Sequence, residues 1–359
     1  MCSTGSSPLQ VKRIGGSSAA RAGVFDVRRA GVAAGLVAIA LLTGRTRALE
    51  TDQFYAWKRP LADSTDALNE RINAEIEAAL ARVNARHDAK SCTCRTAYVA
   101  IRERFDYPIF GPAELWSRKT SRVERVPSTE AEEELFRRSF LHYQTSRFDT
   151  VRWMPPSPTI EIAGVRVGTD KLSHFFMNGP WLDSSYRAAL SRGESEAEAT
   201  RRAMSLGVFT ERTVLGVSSC GILSLGDLEA NYSGFLFFRG LCDGPDPDLV
   251  RDAEGWHLNR PFDLGDYVIP EWDESWQPNI YTPSRWAKVR PVMEGYCALL
   301  EDPEIQRARA AYAARDFETP MEGMIRELVA AGTLADPRGF TIEAACGVPP
   351  TAAPVGSDR

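Results

Sequence analysis

The chain has 359 residues, of which 43% are hydrophobic and 25% are charged, with a formal net charge of −5. This length suffices for one large domain or two ordinary ones with a hydrophobic core. The net negative charge provides no positive electrostatic field that would attract a phosphate backbone, so the composition argues against nucleic acid as a partner.

The amino terminus has the pattern of an export signal. Basic residues precede the apolar run AGVAAGLVAIALLTG, and these are Lys12, Arg13, Arg21, Arg28 and Arg29. The run is shorter than the ~20 residues of a membrane span, and small residues around Ala48 suit signal peptidase. We predict a signal peptide over residues 1–48, with an uncleaved anchor as the alternative. Both would place the rest of the chain in the periplasm or on the outer face of the membrane.

Six cysteines follow the predicted signal: Cys92, Cys94, Cys220, Cys242, Cys297 and Cys346. An even number in an exported chain favours disulfides, and no C-x-x-C pair indicates structural zinc. Cys92 and Cys94 are too close in sequence to pair well with each other. We therefore expect each of them to bond a distant cysteine, with buried free thiols as the alternative.

Hydrophobic periodicity predicts a mainly α single domain over residues 49–346, followed by a disordered tail over 347–359. Asp63 to Thr65 cap a first amphipathic helix, and Ser128–Thr129 with Glu132 opens another. Alternation over 159–167 predicts one short β-hairpin. Three consecutive helices are expected at 170–191, 195–216 and 225–239. A long loop rich in aromatics and proline then precedes helices near 285–300, 303–316 and 320–331.

Polar or small residues recur at four-residue intervals on each of the three consecutive helices. Asp170 and His174 share a face of the first, and Asp227 and Asn231 share a face of the third. The second carries Ala199, Ala203 and Gly207 before Glu211 on one stripe. We expect the three stripes to pack together and to place the five polar residues around one pocket.

These segments resemble two envelope families. DKLSHFF at 170–176, an isolated glutamate in the next helix and DLEANYSGFLF at 227–237 are similar to the pattern of VanZ-like proteins and of small YfiM-like envelope lipoproteins. The resemblance covers about residues 168–240. VanZ-like proteins have several membrane spans, whereas no second apolar segment follows here, and the lipid-attached cysteine of YfiM-like proteins is missing. The resemblance implies a shared architecture around Asp170, Lys171, His174, Asp227 and Asn231, and no activity.

Two interpretations of this cluster stay open. In the first it is structural, with carboxylates at helix starts, a neutral core histidine and an asparagine that bonds a neighbouring helix. In the second, Asp170, His174, Glu211 and Asp227 act as acid–base catalysts, with Lys171 and Asn231 as binding residues. His174, Glu211 and Asp227 would then ligate a divalent metal ion, the one cofactor that the sequence suggests.

The aromatic loop suggests a binding role. Trp256, Trp272, Trp276 and Trp286 fall within one short stretch, and Trp272 and Trp276 are the candidates for contacting a glycan or other envelope polymer. The alternative is that the rings pack on the helical core. We therefore expect an exported envelope protein with a binding or scaffold role, whose partner is an envelope polymer or a membrane-associated protein. The alternative function is a metal-assisted or acid–base hydrolase of an envelope substrate.

Overall fold

A computed structural model of the protein describes residues 51–86, 92–107, 110–136, 157–315 and 317–349. All of these residues fall in one compact unit, which is mainly α-helical as the sequence predicts. The predicted signal and most of the predicted tail lie outside the described residues. None of the described helices is both long and apolar enough to cross a bilayer.

The α-helices of the described residues are numbered in chain order: α1 (Thr65–Asn84), α2 (Cys94–Phe105), α3 (Pro112–Ser117), α4 (Glu130–Phe136), α5 (Asp170–Ser173), α6 (Gly179–Leu190), α7 (Glu196–Thr210), α8 (Val217–Cys220), α9 (Leu225–Gly240), α10 (Pro283–Met293), α11 (Pro303–Ala313), α12 (Pro320–Ala330) and α13 (Ile342–Cys346). The strands are β1 (Thr159–Ile162), β2 (Val165–Gly168), β3 (Ile222–Leu223), β4 (Leu249–Arg251), β5 (Trp256–Leu258) and β6 (Ile280–Tyr281).

The strands form three antiparallel pairs, and the sequence predicts only one of them. The β1–β2 hairpin occupies the predicted segment, with Thr159 opposite Gly168. The pairs β3–β6 and β4–β5 were not expected. Their strands have two or three residues each, which is too short for alternation to be recognised.

The three predicted consecutive helices are present, but two of them contain a π-helical segment. The first runs as α5, a π segment at His174–Asn178, and then α6. The second is α7 followed by a π segment at Glu211–Leu215. The third is α9, which begins at the predicted residue.

Helix α9 is the centre of the packing. It is buried along nearly its whole length, from Leu225 to Phe238. One side contributes Phe237 and Phe238 to a core shared with Phe175, Phe176 and α1 and α2. The other side packs in a second core with α6, α7 and α12. The three-helix unit is therefore continuous with the rest of the domain.

Glycines allow the first and third helices to approach closely. A Cβ on Gly234 would lie 2.1 Å from the carbonyl oxygen of Phe175, and a Cβ on Gly179 would lie 2.5 Å from the carbonyl carbon of Gly234. Neither position has room for a side chain, because the obstacles are backbone atoms. The small residues at these crossings therefore determine how near α9 lies to His174.

Two disulfides link distant segments among the described residues. Cys94 bonds Cys242, and Cys297 bonds Cys346. Cys92 is buried but takes part in neither bond. The expectation of a distant disulfide partner is thus correct for Cys94, whereas Cys92 is in neither of these two bonds and its carbonyl oxygen accepts a hydrogen bond from Trp256 of β5. The side chain of Cys220 is outside the described part of the chain.

We expect Gly234→Ala to lower the free energy of unfolding by several kcal/mol, because the added methyl meets the backbone of Phe175. Gly207→Ala is the matched control, since its Cβ would meet only the side chains of Leu228 at 3.6 Å and Leu182 at 3.8 Å, which are ordinary contact distances. Alanine there should be neutral or stabilise by up to about 1 kcal/mol through helix propensity. Urea unfolding of both variants measures the difference, and equal effects would contradict the packing argument.

Candidate functional site

A fully buried lysine lies at the centre of the polar cluster. The ammonium Nζ of Lys171 is 2.8 Å from Asp170 Oδ2, 2.7 Å from Asp227 Oδ1 and 2.5 Å from Glu274 Oε1. Asp170 comes from α5, Asp227 from the first turn of α9, and Glu274 from the aromatic loop. One positive charge therefore joins three segments that are distant in sequence.

Hydrogen bonds from hydroxyl and backbone groups hold these carboxylates in place. Ser224, the N-cap of α9, accepts from the backbone N–H of Asp227 at 3.0 Å and donates to Glu274 at 2.8 Å. Thr51 donates to Asp170 Oδ1 at 2.9 Å. Asp170 lies at a helix start, as the structural interpretation supposes, but it does not cap that helix, because Thr51 and Lys171 take its oxygens and Thr169 occupies the N-cap position.

His174 faces Asp227 on one side and two asparagines on the other. Its Nδ1 lies 3.0 Å from Asn231 Oδ1 and 3.1 Å from Asn178 Nδ2. Its Nε2 lies 3.1 Å from Asp227 Oδ2, but the geometry of this contact does not make a hydrogen bond. His174 and Asp227, which the sequence predicts to lie around one pocket, are therefore in direct contact.

Glu211 has no hydrogen-bond partner for either carboxylate oxygen among the described residues, although it is fully buried. Burial raises the pKa of Glu211 well above its usual range, and the neighbouring charge of Asp227 raises it further, while Lys171 lowers it. The carboxyl group therefore faces the cluster. Gly216 makes room for it, since a Cβ there would lie 2.8 Å from Glu211 Oε2.

The structure thus brings together the six polar residues predicted from the three helices: Asp170, Lys171, His174, Glu211, Asp227 and Asn231. None is more than 1% exposed. Burial also raises the pKa of Glu274, an effect that the Lys171 ammonium opposes. Carboxylates outnumber cations here, so the cluster must hold protons or another cation to approach neutrality.

Both π segments begin at a residue of this cluster, one at His174 and the other at Glu211. A π turn places one extra residue in the helix and redirects the side chains around it, and such turns are frequent at functional sites. The local geometry of these two side chains is therefore different from that of an ordinary α-helix.

Sequence reasoning missed Glu274 and Asn178. Asn178 lies four residues after His174, so the stripe of Asp170 and His174 could have been extended to it. Glu274 lies in an irregular loop, where no periodicity relates it to the helices. The one signal in the sequence is that Glu274 lies between Trp272 and Trp276, both of which are buried.

The two tryptophans proposed for binding are mostly inside the protein. Trp272 is fully buried, with its ring centroid 5.9 Å from that of Phe175. It is a core residue, so a role in contacting a polymer is not possible in this arrangement. Trp276 is 6% exposed and lines two neighbouring surface clefts together with Arg309.

A second buried acidic cluster joins α9 to α12. Arg315 Nη2 lies 2.6 Å from Glu271 Oε1 and 2.8 Å from Glu322 Oε2. Thr319 donates to Glu229 Oε1 at 2.5 Å. Burial raises the pKa of Glu229 to about 8 and that of Glu271 to about 7.

No protein-family model, curated protein or solved structure matches this chain.

We expect Lys171→Met to lower the free energy of unfolding by about 3–5 kcal/mol at pH 7, because it leaves buried carboxylates without their cation. The loss should shrink at pH 5, because burial raises the pKa of Glu274 and removal of the Lys171 ammonium raises it further, so that Glu274 takes up a proton. Lys119→Met, at an exposed position of the same chain, should stay within about 0.5 kcal/mol of the parent. Adding Glu274→Gln to Lys171→Met should restore part of the stability. Chemical unfolding that shows no coupling between the two would refute the central role of Lys171.

The second cluster predicts a pH dependence. The pKa values of Glu229 and Glu271 are raised in the folded protein, so it binds protons there that the unfolded chain releases. Stability should therefore fall as the pH rises from about 4.5 to 8. Glu229→Gln imitates the protonated group and should flatten this fall, whereas Glu77→Gln, on an exposed face of α1, should not. Urea unfolding at pH 5, 6.5 and 8 measures this pH dependence of stability. If Glu229→Gln and Glu77→Gln both lost stability with rising pH as steeply as the parent, Glu229 would not be its source.

Proposed function

We propose that this chain is an exported binding or scaffold protein of the cell envelope, in which the cluster around Lys171 holds the fold together. The observation that carries the proposal is burial. The six predicted polar residues are at most 1% exposed, so a polymeric substrate has no contact with them. Their ion pairs instead link α5, α9 and the loop that contains Glu274.

Export is supported by the basic and apolar pattern of residues 12–48 and by the two disulfides. The likeness to VanZ-like and YfiM-like proteins belongs to the same proposal. It would mean that Asp170, Lys171, His174, Asp227 and Asn231 form an architectural unit that these envelope proteins share.

The surface around Trp276 and Arg309 is the proposed binding region. These two residues line both a cleft of about 220 Å³ and a neighbouring one of about 940 Å³. The Arg309 guanidinium lies 5.3 Å from the centre of the Trp276 ring. Tyr312 lines the smaller cleft, and Glu301 and Glu343 line the larger. Aromatic, guanidinium and carboxylate groups beside one another suit the apolar faces and hydroxyl groups of a glycan.

A second candidate function is a metal-assisted or acid–base hydrolase of an envelope substrate. The specific observation in its favour is that ligand atoms of Asp170, His174 and Asp227 all lie within 4.8 Å of one another. This function would require an opening of the three-helix unit to admit the substrate.

Sedimentation with purified peptidoglycan tests the proposal. We expect the protein to co-sediment without releasing soluble sugar. Ala310→Trp fills the larger cleft and should weaken binding at least tenfold, while Ala311→Trp, exposed on the same helix but outside both clefts, should not. Absence of binding, or equal binding by all three proteins, would overturn the proposal. Release of soluble fragments that is abolished by His174→Gln would support the hydrolase instead.

A further inference from the structure

We propose that His174, Asp227 and Asp170 bind one divalent transition-metal ion inside the three-helix unit, and that the neighbouring Glu211 carboxylate completes the ligand set when the ion is present. This inference does not depend on the proposed binding of an envelope polymer, because the ion would be buried far from solvent. It rests on the placement of ligand atoms, the tautomer of the histidine and the unpaired oxygens of Glu211.

The first argument is the unusual contact between His174 and Asp227. Nε2 and Oδ2 are 3.1 Å apart, both are buried, and no hydrogen bond joins them. Two ligand atoms that are each about 2.1 Å from an ion lie roughly 3.0–3.4 Å apart at ordinary coordination angles. The distance therefore suits two ligands of one ion, and Asp170 offers a third atom within 4.8 Å of both.

The second argument is the partner of the other ring nitrogen. Nδ1 of His174 lies 3.0 Å from Asn231 Oδ1, which can only accept a hydrogen bond, and 3.1 Å from the Asn178 amide nitrogen, which can only donate one, so the two asparagines favour opposite tautomers. When Nδ1 carries the proton and donates to Asn231, Nε2 presents its lone pair toward Asp227. A lone pair that faces a carboxylate oxygen is repulsive unless a proton or a metal cation lies between them, and the contact here lacks the geometry of a hydrogen bond. Metal-binding histidines are commonly oriented by such a bond from the second nitrogen.

The third argument is Glu211, which comes from a different helix. Neither of its oxygens has a hydrogen-bond partner among the described residues, and the side chain is fully buried. Its carboxyl group is near enough to interact electrostatically with Asp227, Lys171, Glu274 and Asp170. An unpaired buried carboxyl is costly, whereas coordination of an ion would use the unpaired oxygens.

The charge of the cluster agrees with a dication. Asp170, Asp227, Glu274 and Glu211 supply up to four negative charges against the single positive charge of Lys171. Lys171 contacts Oδ1 of Asp227, which leaves Oδ2 of the same group to face His174. One imidazole with two or three carboxylates is a ligand set for Zn²⁺, Mn²⁺ or Fe²⁺ rather than for Ca²⁺, which prefers oxygen alone.

Metal analysis of the full chain tests the inference. Protein purified without chelator should contain close to one equivalent of a first-row divalent metal by mass spectrometry. After the metal is removed, Zn²⁺ or Mn²⁺ added alone should raise the Tm by several degrees. His174→Gln and Glu211→Gln should each weaken the affinity at least 100-fold in calorimetric titration.

Glu229→Gln is the matched control, because Glu229 is an equally buried carboxyl on α9 that belongs to the other cluster. It should leave metal affinity unchanged. Glu211→Gln preserves shape, so it keeps the test decisive if His174→Gln does not fold. A parent protein with no metal and no change in Tm on addition of Zn²⁺ or Mn²⁺ would overturn the inference, and so would equal loss of affinity in Glu211→Gln and Glu229→Gln.

Discussion

The ammonium of Lys171 is the charge on which the arrangement of the domain depends. It is fully buried and can stay charged only because carboxylates from α5, α9 and the loop at Glu274 surround it. Each of those segments is fixed in turn by the others, since Ser224 bonds both Asp227 and Glu274. The irregular aromatic loop is therefore attached to the helices by charge as well as by the packing of Trp272.

The position of α9 follows from steric as well as electrostatic constraints. Gly179 and Gly234 bring its backbone against the segment that contains Phe175 and His174. This close approach places Asn231 and Asp227 on the two sides of the imidazole. Larger residues at this crossing would move the helices apart and would separate the polar groups as well. The polar cluster therefore depends on the small residues.

Two buried clusters in this domain follow the same rule, with several carboxylates around a single basic side chain. The basic side chain is Lys171 in the first cluster and Arg315 in the second. Helix α9 contributes Asp227 to the first cluster and Glu229 to the second. The excess of acids raises the pKa of Glu229 and Glu271, so protons stabilise the second cluster. In the first, the unpaired atoms of His174, Asp227 and Glu211 are arranged so that a metal ion would serve the same purpose.

The sequence by itself determined the mainly helical class, the β1–β2 hairpin, the three consecutive helices and the five polar residues that they bring together. These features depend on periodicity and capping, which are local. Only the tertiary structure decided that Glu274 joins the cluster, that Trp272 is core, that Cys94 pairs with Cys242, and that π turns occur at His174 and Glu211. Such features depend on which distant segments meet. Periodicity along the sequence does not indicate the burial and the charge interactions that those contacts create.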